Sequence, residues 1–424
     1  TLLHQSGIQK EKGFPTVTLL FALIVLPVIK QSLTALWSGK FFENMLQAHK
    51  DTYYRFLNHP CFNWRKLLAL LVCREIARTD RTPFNEKTII ADDTLLGKTG
   101  EKMELVSYHH DHTTNRSKLG YQMLQIGLHN GTRFYPLDLG FHTSKNRPND
   151  KLREMDKRTN GWKRRMECFE KKTDLLVQMI RRCWQNGISA RFVLFDSWFA
   201  CDKVISQILD IGYGVICRLK ANKTHYHYQG KPMTLPQLWH TVARHEIRWI
   251  SSWQIKAAIL KVELPLAGEV SIVFVRWSKK NWHAFLCTEA GMEIHEILDY
   301  YSRRWAIECY FRDCKQLLGL GKGQSETFDA VVARASIVAI RYLILIYIPA
   351  KRQLAGPIGP LFQELAREHL QLALIQSLWT RIRQILMLSS QLFSTNSDPD
   401  EFFYLLDVLE NSLINSPAEG CAKL

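Results

Sequence analysis

The chain has 424 residues, 46% hydrophobic and 23% charged, an ordinary globular composition with length for roughly two to four domains. Lys and Arg outnumber Asp and Glu by 56 to 40, giving a net charge of +16 and a pI near 9.4, which favours a polyanionic partner. Ten scattered cysteines with no Cys-x-x-Cys pair exclude a zinc array and fit buried, reduced thiols. The apolar runs at 17–29 and 335–348 contain Pro27 and Arg341, and neither reads as a membrane span. With no basic amphipathic anchor, nucleic acid is the expected partner ahead of membrane. The residues after Thr1 show no signal-peptide pattern, so a cytoplasmic location is expected.

Residues 16–80 carry helical apolar periodicity, with Lys and Arg between aromatics at 50–56 and 64–66, and predict a helical N-terminal domain able to touch DNA. From 88 the period changes. Strands are expected at Thr88–Ala91, Leu119–Leu128 and Arg133–Phe141, with Asn130-Gly131 as the turn between the last two. A basic helical region follows, holding 14 Lys/Arg against 6 Asp/Glu between Lys145 and Arg191, and reads as a phosphate-tracking surface. Arg191–Phe195 predicts a fourth strand, a helix starts near Ala200, and Tyr213–Leu219 predicts a fifth strand. Three meandering strands, then helix, strand, helix, strand and a later long helix, is the element order of an RNase H-like α/β fold. Residues 220–290, rich in Thr, Val, Ile and Trp, read as a β-rich insertion. Helices resume at Glu293 and run through most of 329–388. The tail beyond 391 is acidic, with an amphipathic segment at 402–406.

Two short apolar runs end in aspartate, Ile89-Ile90-Ala91-Asp92-Asp93-Thr94 and Phe192-Val193-Leu194-Phe195-Asp196. A third motif, Tyr301-Ser302-Arg303-Arg304-Trp305-Ala306-Ile307-Glu308, sets an acid among cations and aromatics. On one helix, Tyr301, Arg304, Glu308 and Lys315 would point to about 0°, 300°, 340° and 320°, a single stripe that Arg312 joins near ~20°. Acids at strand ends and on a facing helix suit two hard divalent cations, which can clamp the attacking and leaving oxygens of phosphoryl transfer. An intrahelical salt-bridge ladder through Glu308 is the bland alternative for the helix taken alone.

The spacing Tyr-x2-Arg-x3-Glu-x6-Lys, met at Tyr301, Arg304, Glu308 and Lys315, resembles the Y-R-E-K signature of bacterial insertion-sequence DDE transposases of the insertion-sequence-four group. Asp196 resembles that group's second acid, and Asp92-Asp93-Thr94 its first; the resemblance covers roughly 85–350. It implies an RNase H-like core with catalytic and metal-binding Asp92, Asp196 and Glu308, and two Mg²⁺ ions, with Mn²⁺ as the alternative. It also implies DNA contacts by Tyr301, Arg304 and Lys315. The activity implied is cleavage at element ends, hairpin formation and 3′-hydroxyl strand transfer into target DNA, by a homodimer holding double-stranded terminal inverted repeats. A bacterial, nucleoid-associated location follows from the same resemblance.

Of the adjacent aspartates, strand alternation lets only one serve readily, and the Asp-x-Thr form favours Asp92. Related enzymes use a tryptophan of the insertion on a flipped base; Trp282 lies nearest the expected place among Trp239, Trp249, Trp253, Trp277 and Trp282, with core packing as its other role. His109-His110-Asp111-His112 reads as a surface loop, because adjacent histidines cannot all turn to one ion. Gly97-Lys98-Thr99 lacks the first glycine of a P-loop, and Leu318–Gly323 follows a helix, so it reads as a flexible helix exit.

The expected organisation is a helical DNA-binding region (1–84), an RNase H-like core (85–219 and 291–350), the β-rich insertion (220–290) and a C-terminal helical dimerisation region (351–424). Two other functions stay open: an RNase H-like DNA nuclease without strand transfer, and a transposase-derived DNA-binding regulator that no longer cuts. The acid triad argues against the regulator, since unneutralised carboxylates repel DNA.

Overall fold

The computed structural model describes residues 2–29, 48–111, 115–276, 281–323, 325–351 and 358–368. The chain divides into two units, residues 1–27 with 32–359, and residues 28–31 with 360–424. Of the second unit only 28–29 and 360–368 are described, and 360–368 is helical. The expected acidic tail and its 402–406 segment lie outside the described residues.

The first unit is built on a mixed sheet. Strands β1 (Thr88–Gly97), β3 (Arg116–His129) and β4 (Phe134–His142) form an antiparallel meander, with β2 (Ser107–Asp111) pairing the first part of β3. The turn after β3 is the predicted one: Asn130 Oδ1 accepts the backbone N–H of Thr132 (3.2 Å) and Arg133 (2.9 Å), and Gly131 takes φ +91°. Strands β5 (Phe192–Phe195) and β6 (Gly214–Leu219) run parallel to β1. The order β4-β3-β1-β5-β6, with β3 the antiparallel member, is that of an RNase H-like core. Both faces of its central strands are apolar and buried, as parallel strands covered by helices require.

Residues 220–290 extend this sheet rather than forming a separate one. They contribute β7 (Tyr226–Tyr228), β8 (Lys231–Met233), β9 (Arg248–Ile250), β10 (Ile255–Leu264), β11 (Gly268–Arg276) and β12 (Trp282–Cys287). Strand β12 pairs antiparallel with β6, and β11, β10 and β7 follow outward.

Helices α1 (Leu2–Gln5), α2 (Thr16–Val25), α3 (Lys50–Leu57) and α4 (Trp64–Thr79) make up the described part of the N-terminal region. Asn63 caps α4 through its side chain, which accepts the N–H of Lys66. Helices α5 (Asn160–Glu167) and α6 (Lys172–Gln185) follow β4; α7 (Asp202–Ile211) links β5 to β6 and ends at Gly212 with φ +107°. Helix α8 (Leu235–Leu238) lies in the insertion, and α9 (Ile294–Ser302), α10 (Trp305–Gln316) and α11 (Phe328–Lys351) complete the unit. From Phe328 to Tyr347, α11 is long and apolar enough to cross a membrane, yet most of it is buried inside the protein.

Four expectations change. Strand β1 does not end at Asp92; its ladder with β3 continues to Gly97, so Asp92, Asp93 and Thr94 lie within the strand. The predicted 301–315 helix is two helices, because Arg303 and Arg304 bond back three residues, to Tyr300 and Tyr301, before α10 begins. Within α10, Arg312 does not extend the Arg304–Glu308 pair into a ladder; it turns to Asp313 at 3.0 Å. The expected histidine loop is partly strand, since His109, His110 and Asp111 pair with Lys118, Ser117 and Arg116. His112 lies outside the described residues.

Several charges of the basic 145–191 region also point inward rather than to a phosphate-tracking surface. Arg165 is fully buried between Glu104 (2.6 Å) and Asp329 (2.8 Å), joining the β1–β2 connection to α11. Arg164 and Arg182 join Arg65 in a second network around Asp138 and Glu167. Buried cations placed in this way need carboxylates, because an unpaired charge away from water costs several kcal/mol.

Candidate active site

Strands β1 and β5 run parallel with Thr88 opposite Phe192, Ile89 opposite Val193 and Ile90 opposite Leu194. Continued by two residues, that register sets Asp92 beside Asp196, immediately past the end of β5. Side chains at paired positions share a face, so both carboxylates leave the same side of the sheet. Each is aimed by the next residue's backbone: Asp92 Oδ1 accepts the N–H of Asp93 (2.8 Å), and Asp196 Oδ1 that of Ser197 (2.7 Å).

Helix α10 supplies the third acid. Arg304, at its N-cap, donates Nη1 to Asp92 Oδ2 at 2.9 Å and Nη2 to Glu308 Oε1, so one guanidinium ties β1 to the helix. Burial alone would weaken its charge, but the Asp92 and Glu308 carboxylates raise the Arg304 pKa. Its Nε is buried without a hydrogen-bond partner among the described residues. Lys315, two turns beyond Glu308, donates to Thr94 Oγ1 at 2.6 Å, two positions from Asp92 on the same face of β1. Tyr301, at the end of α9, packs on Phe285 at 4.8 Å with the Arg304 guanidinium 5.8 Å from its ring. Burial pushes its phenol pKa upward, so it stays a neutral hydroxyl.

Asp92, Asp196, Glu308, Tyr301, Arg304 and Lys315 thus converge from three separate stretches of chain. Asp93 does not join them. It faces the other side of β1, where Lys172 at the start of α6 holds it at 2.6 Å. Trp282 stays apart as well. It stacks on Trp239 at 5.6 Å and meets Phe274 at 5.4 Å, whereas Phe285, three residues on and facing the opposite way, is the β12 side chain that reaches Tyr301. Trp253 bonds Asp299 of α9 through Nε1 (2.9 Å), and Trp249 is exposed. Trp277 lies outside the described residues.

Two neighbours escaped the sequence reading: Lys172, and Trp198, which is 63% exposed two residues after Asp196 with the Lys172 ammonium 4.5 Å from its ring; Thr94 figured there only in the Asp-x-Thr form, without its bond to Lys315. The one available signal was Trp198's place beside an acid at a strand end.

Burial is the main reason that the Asp92 carboxyl rises to about 7; Arg304 opposes the rise, and the nearby Asp93 and Asp196 add to it. Among the described residues no three Asp, Glu, His or Cys side chains stand together as a ready metal cluster. The donor set still fits a hard divalent ion. Asp92 and Glu308 already hold a cationic group, the Arg304 guanidinium, between them, and both offer the oxygen ligands such ions favour.

A family model described as a DDE superfamily endonuclease matches residues 36–246, and one described as a transposase DDE domain matches residues 170–344. No curated protein matches. Among solved structures, the Drosophila P element transposase strand transfer complex is 11% identical at a TM-score of 0.24, covering 56% of this chain and 51% of that one. The chain thus spans about half the length of that transposase. The NurA nuclease from Sulfolobus solfataricus is 8% identical at a TM-score of 0.25, covering 63% of this chain and 86% of that one. Through the two DDE models that overlap across its core, the chain belongs to the DDE transposase family.

Proposed function

We propose that the chain is a DNA transposase of the insertion-sequence-four group that cleaves phosphodiesters at element ends and joins the freed 3′-hydroxyl to new DNA. The observation that carries this reading is the shared register of Asp92 and Asp196, with Glu308 linked to Asp92 through Arg304. Asp92, Asp196 and Glu308 would hold two divalent ions, Mg²⁺ or Mn²⁺. When bound, such ions supply activation of the attacking oxygen and neutralisation of charge on the phosphate.

The protein's own groups do the positioning. The N–H groups of Asp93 and Ser197 fix the two aspartate carboxylates before substrate arrives. Arg304 carries a donor, Nε, not used within the described protein, and a guanidinium suits two-point contact with a phosphate. Lys315, which burial already makes easier to deprotonate, gains from an approaching phosphate that restores its charge. Tyr301, as a neutral phenol, can donate to a phosphate oxygen without repelling it.

In sequence, water cleaves one strand at the element end. The freed 3′-hydroxyl attacks the opposite strand to give a hairpin, and after hairpin opening it attacks target DNA. The helical region before 85 would bind the terminal repeats, and a cytoplasmic, nucleoid-associated homodimer would hold two ends together. The proposed dimerisation region, 351–424, lies mostly outside the described residues.

The test is cleavage of an end-labelled duplex bearing the element's terminal repeat with Mg²⁺, comparing the wild type with Asp196→Asn. Cleavage followed by joining to a second duplex, both lost in the variant, supports transposition. Cleavage without joining identifies a nuclease. Binding without cleavage by the wild type, with either metal, identifies a regulator.

A further inference from the structure

Two motifs that carry little meaning singly, Gly97-Lys98 and the glycine run 318–323, meet in space. Lys98 continues the β1 edge, its N–H still donating to Leu119 O at 2.8 Å. Its ammonium enters the glycine run and donates to Gly321 O and Gly323 O, both at 2.6 Å. Gly319 and Gly321 take φ +81° and +83°, conformations that let the chain curl around the ammonium. Arg334 of α11 lies against Gly323, where an added Cβ would stand 2.6 Å from its Cδ. One turn-pair further along α11, Arg341 donates to Leu318 O (2.6 Å) and to the carbonyls of Leu23 and Ile24.

The contrast with Arg165, Arg65 and Arg182 matters. Each of those cations sits on two carboxylates. Lys98, Arg334 and Arg341 form no ion pair with any carboxylate among the described residues, and the charge of Arg334 opposes those of Lys98 and Arg341. Lys98 has three donors and uses two. Arg334 makes no hydrogen bond among the described residues, and its Nε is buried without a partner. These cations are half-buried, and clustered without a counter-charge they gain when an anion arrives from outside. Between Lys98, Gly323, Ser325 and Arg334 lies a cavity of 30 Å³, which has room for one or two oxygen atoms and none for a nucleobase.

Its place relative to the acids indicates the anion. Asp92, Thr94, Leu96 and Lys98 alternate onto one face of β1, meeting in turn Arg304, Lys315, Gly321 and the Gly321–Gly323 carbonyls. From Asp92 to Lys98 is six residues of extended strand, about 20 Å. At ~3.4 Å of helix axis per nucleotide, that length corresponds to about six nucleotides.

Resting on the DNA-cleavage reading above, we propose that Lys98, Arg334 and the Gly319–Gly323 loop form a phosphodiester-binding pocket. It grips a backbone phosphate of the DNA about six nucleotides from the one being cut. The loop glycines and Arg341 hold the pocket open; Lys98 and Arg334 supply the charge.

The experiment is a scan of the element-end duplex with single neutral methylphosphonate linkages, measuring its affinity for the full-length wild type and for Arg334→Gln. Wild-type affinity is expected to fall roughly tenfold at one or two adjacent positions about six nucleotides from the cut site. Arg334→Gln should bind more weakly overall, be indifferent at those positions, and show a log affinity–log salt slope shallower by about one. The wild-type scan needs no variant to fold, and Gly323→Ala, which displaces Arg334 without removing its charge, should reproduce the indifference. Cleavage of the duplex with a wild-type profile flat at these positions overturns the pocket alone. Failure of the wild type to bind the duplex at all overturns both the cleavage reading and the pocket.

Discussion

Lys172 holds Asp93 through a 2.6 Å ion pair on the face of β1 opposite Asp92, so two adjacent aspartates serve different neighbourhoods. Asp92 joins Arg304 and, through the parallel register, Asp196. Asp93 anchors the start of α6, with Lys172 also lying over the Trp198 ring. The division follows from strand alternation alone.

The adjacent pair gives the first prediction. Asp92→Asn should lower DNA cleavage by about 10³-fold or more while leaving end binding in place, as loss of a residue in a cooperating catalytic unit does. Asp93→Asn should keep cleavage within about tenfold and cost roughly 1–2 kcal/mol of stability through the loss of its charge-assisted bond to Lys172. Cleavage assays and urea midpoints on the two variants check this; the reverse pattern would make Asp93 the ligand.

Burial, opposed by Arg304 and aided by Asp93 and Asp196, raises the Asp92 carboxyl to about 7 against an ordinary value of 3.8. Below pH ~4 the folded and unfolded chains both hold this proton. As pH rises from there to 7 the unfolded chain releases it first, so folding stability declines, and the decline stops above the folded pKa. In metal-free protein, Asp92→Asn should lack this decline and gain up to about 4 kcal/mol relative to wild type at pH 8. Mg²⁺ should restore wild-type stability at pH 8 and do little for the variant. Melting curves at pH 5 and pH 8 that shift identically in both proteins would contradict the assignment.

Arg165 makes a third case. Its guanidinium is wholly buried and satisfied by Glu104 and Asp329. Arg165→Met strands two buried carboxylates and should cost about 3–5 kcal/mol. Equilibrium unfolding in urea measures it, and a loss below ~1 kcal/mol would mean that water or relaxation takes over the pairing.

Trp282 is expected to act through packing. With its ring against Trp239 and Phe274, Trp282→Ala should destabilise the protein by about 2–3 kcal/mol, while Trp282→Phe recovers most of that. Affinity for the element end should change less than about twofold in the Phe variant. A base-specific binding defect with unchanged melting temperature would instead place Trp282 on DNA.

Much of the core was legible because its signals are local. Short apolar runs at 88–91, 119–128, 133–141 and 213–219, with Asn130-Gly131 between two of them, mark strands that the structure forms at those places with only shifted ends. Where signals conflict, the sequence was less clear. The helical arithmetic at 301–315 is correct for a continuous helix, but the backbone tightens at Arg303 and Arg304, where the N–H groups bond back three residues instead of four. Basic residues at 145–191 look alike in a charge sum, yet Arg165 is internal because Glu104 and Asp329 meet it from distant segments, and Arg182 turns to Asp138 of β4.

Taken by itself, the amino-acid sequence determined the basic charge, the order of strands and helices, and which short motifs contain acids. Each of those depends on residues within one or two turns of each other. Tertiary structure alone decided that Asp93 turns to Lys172, that Trp282 packs on Trp239 and Phe274, and that Lys98 meets the glycine run. The physical reason is that strand pairing and helix docking fix side-chain direction, and both are long-range choices settled by burying the sheet on its two faces.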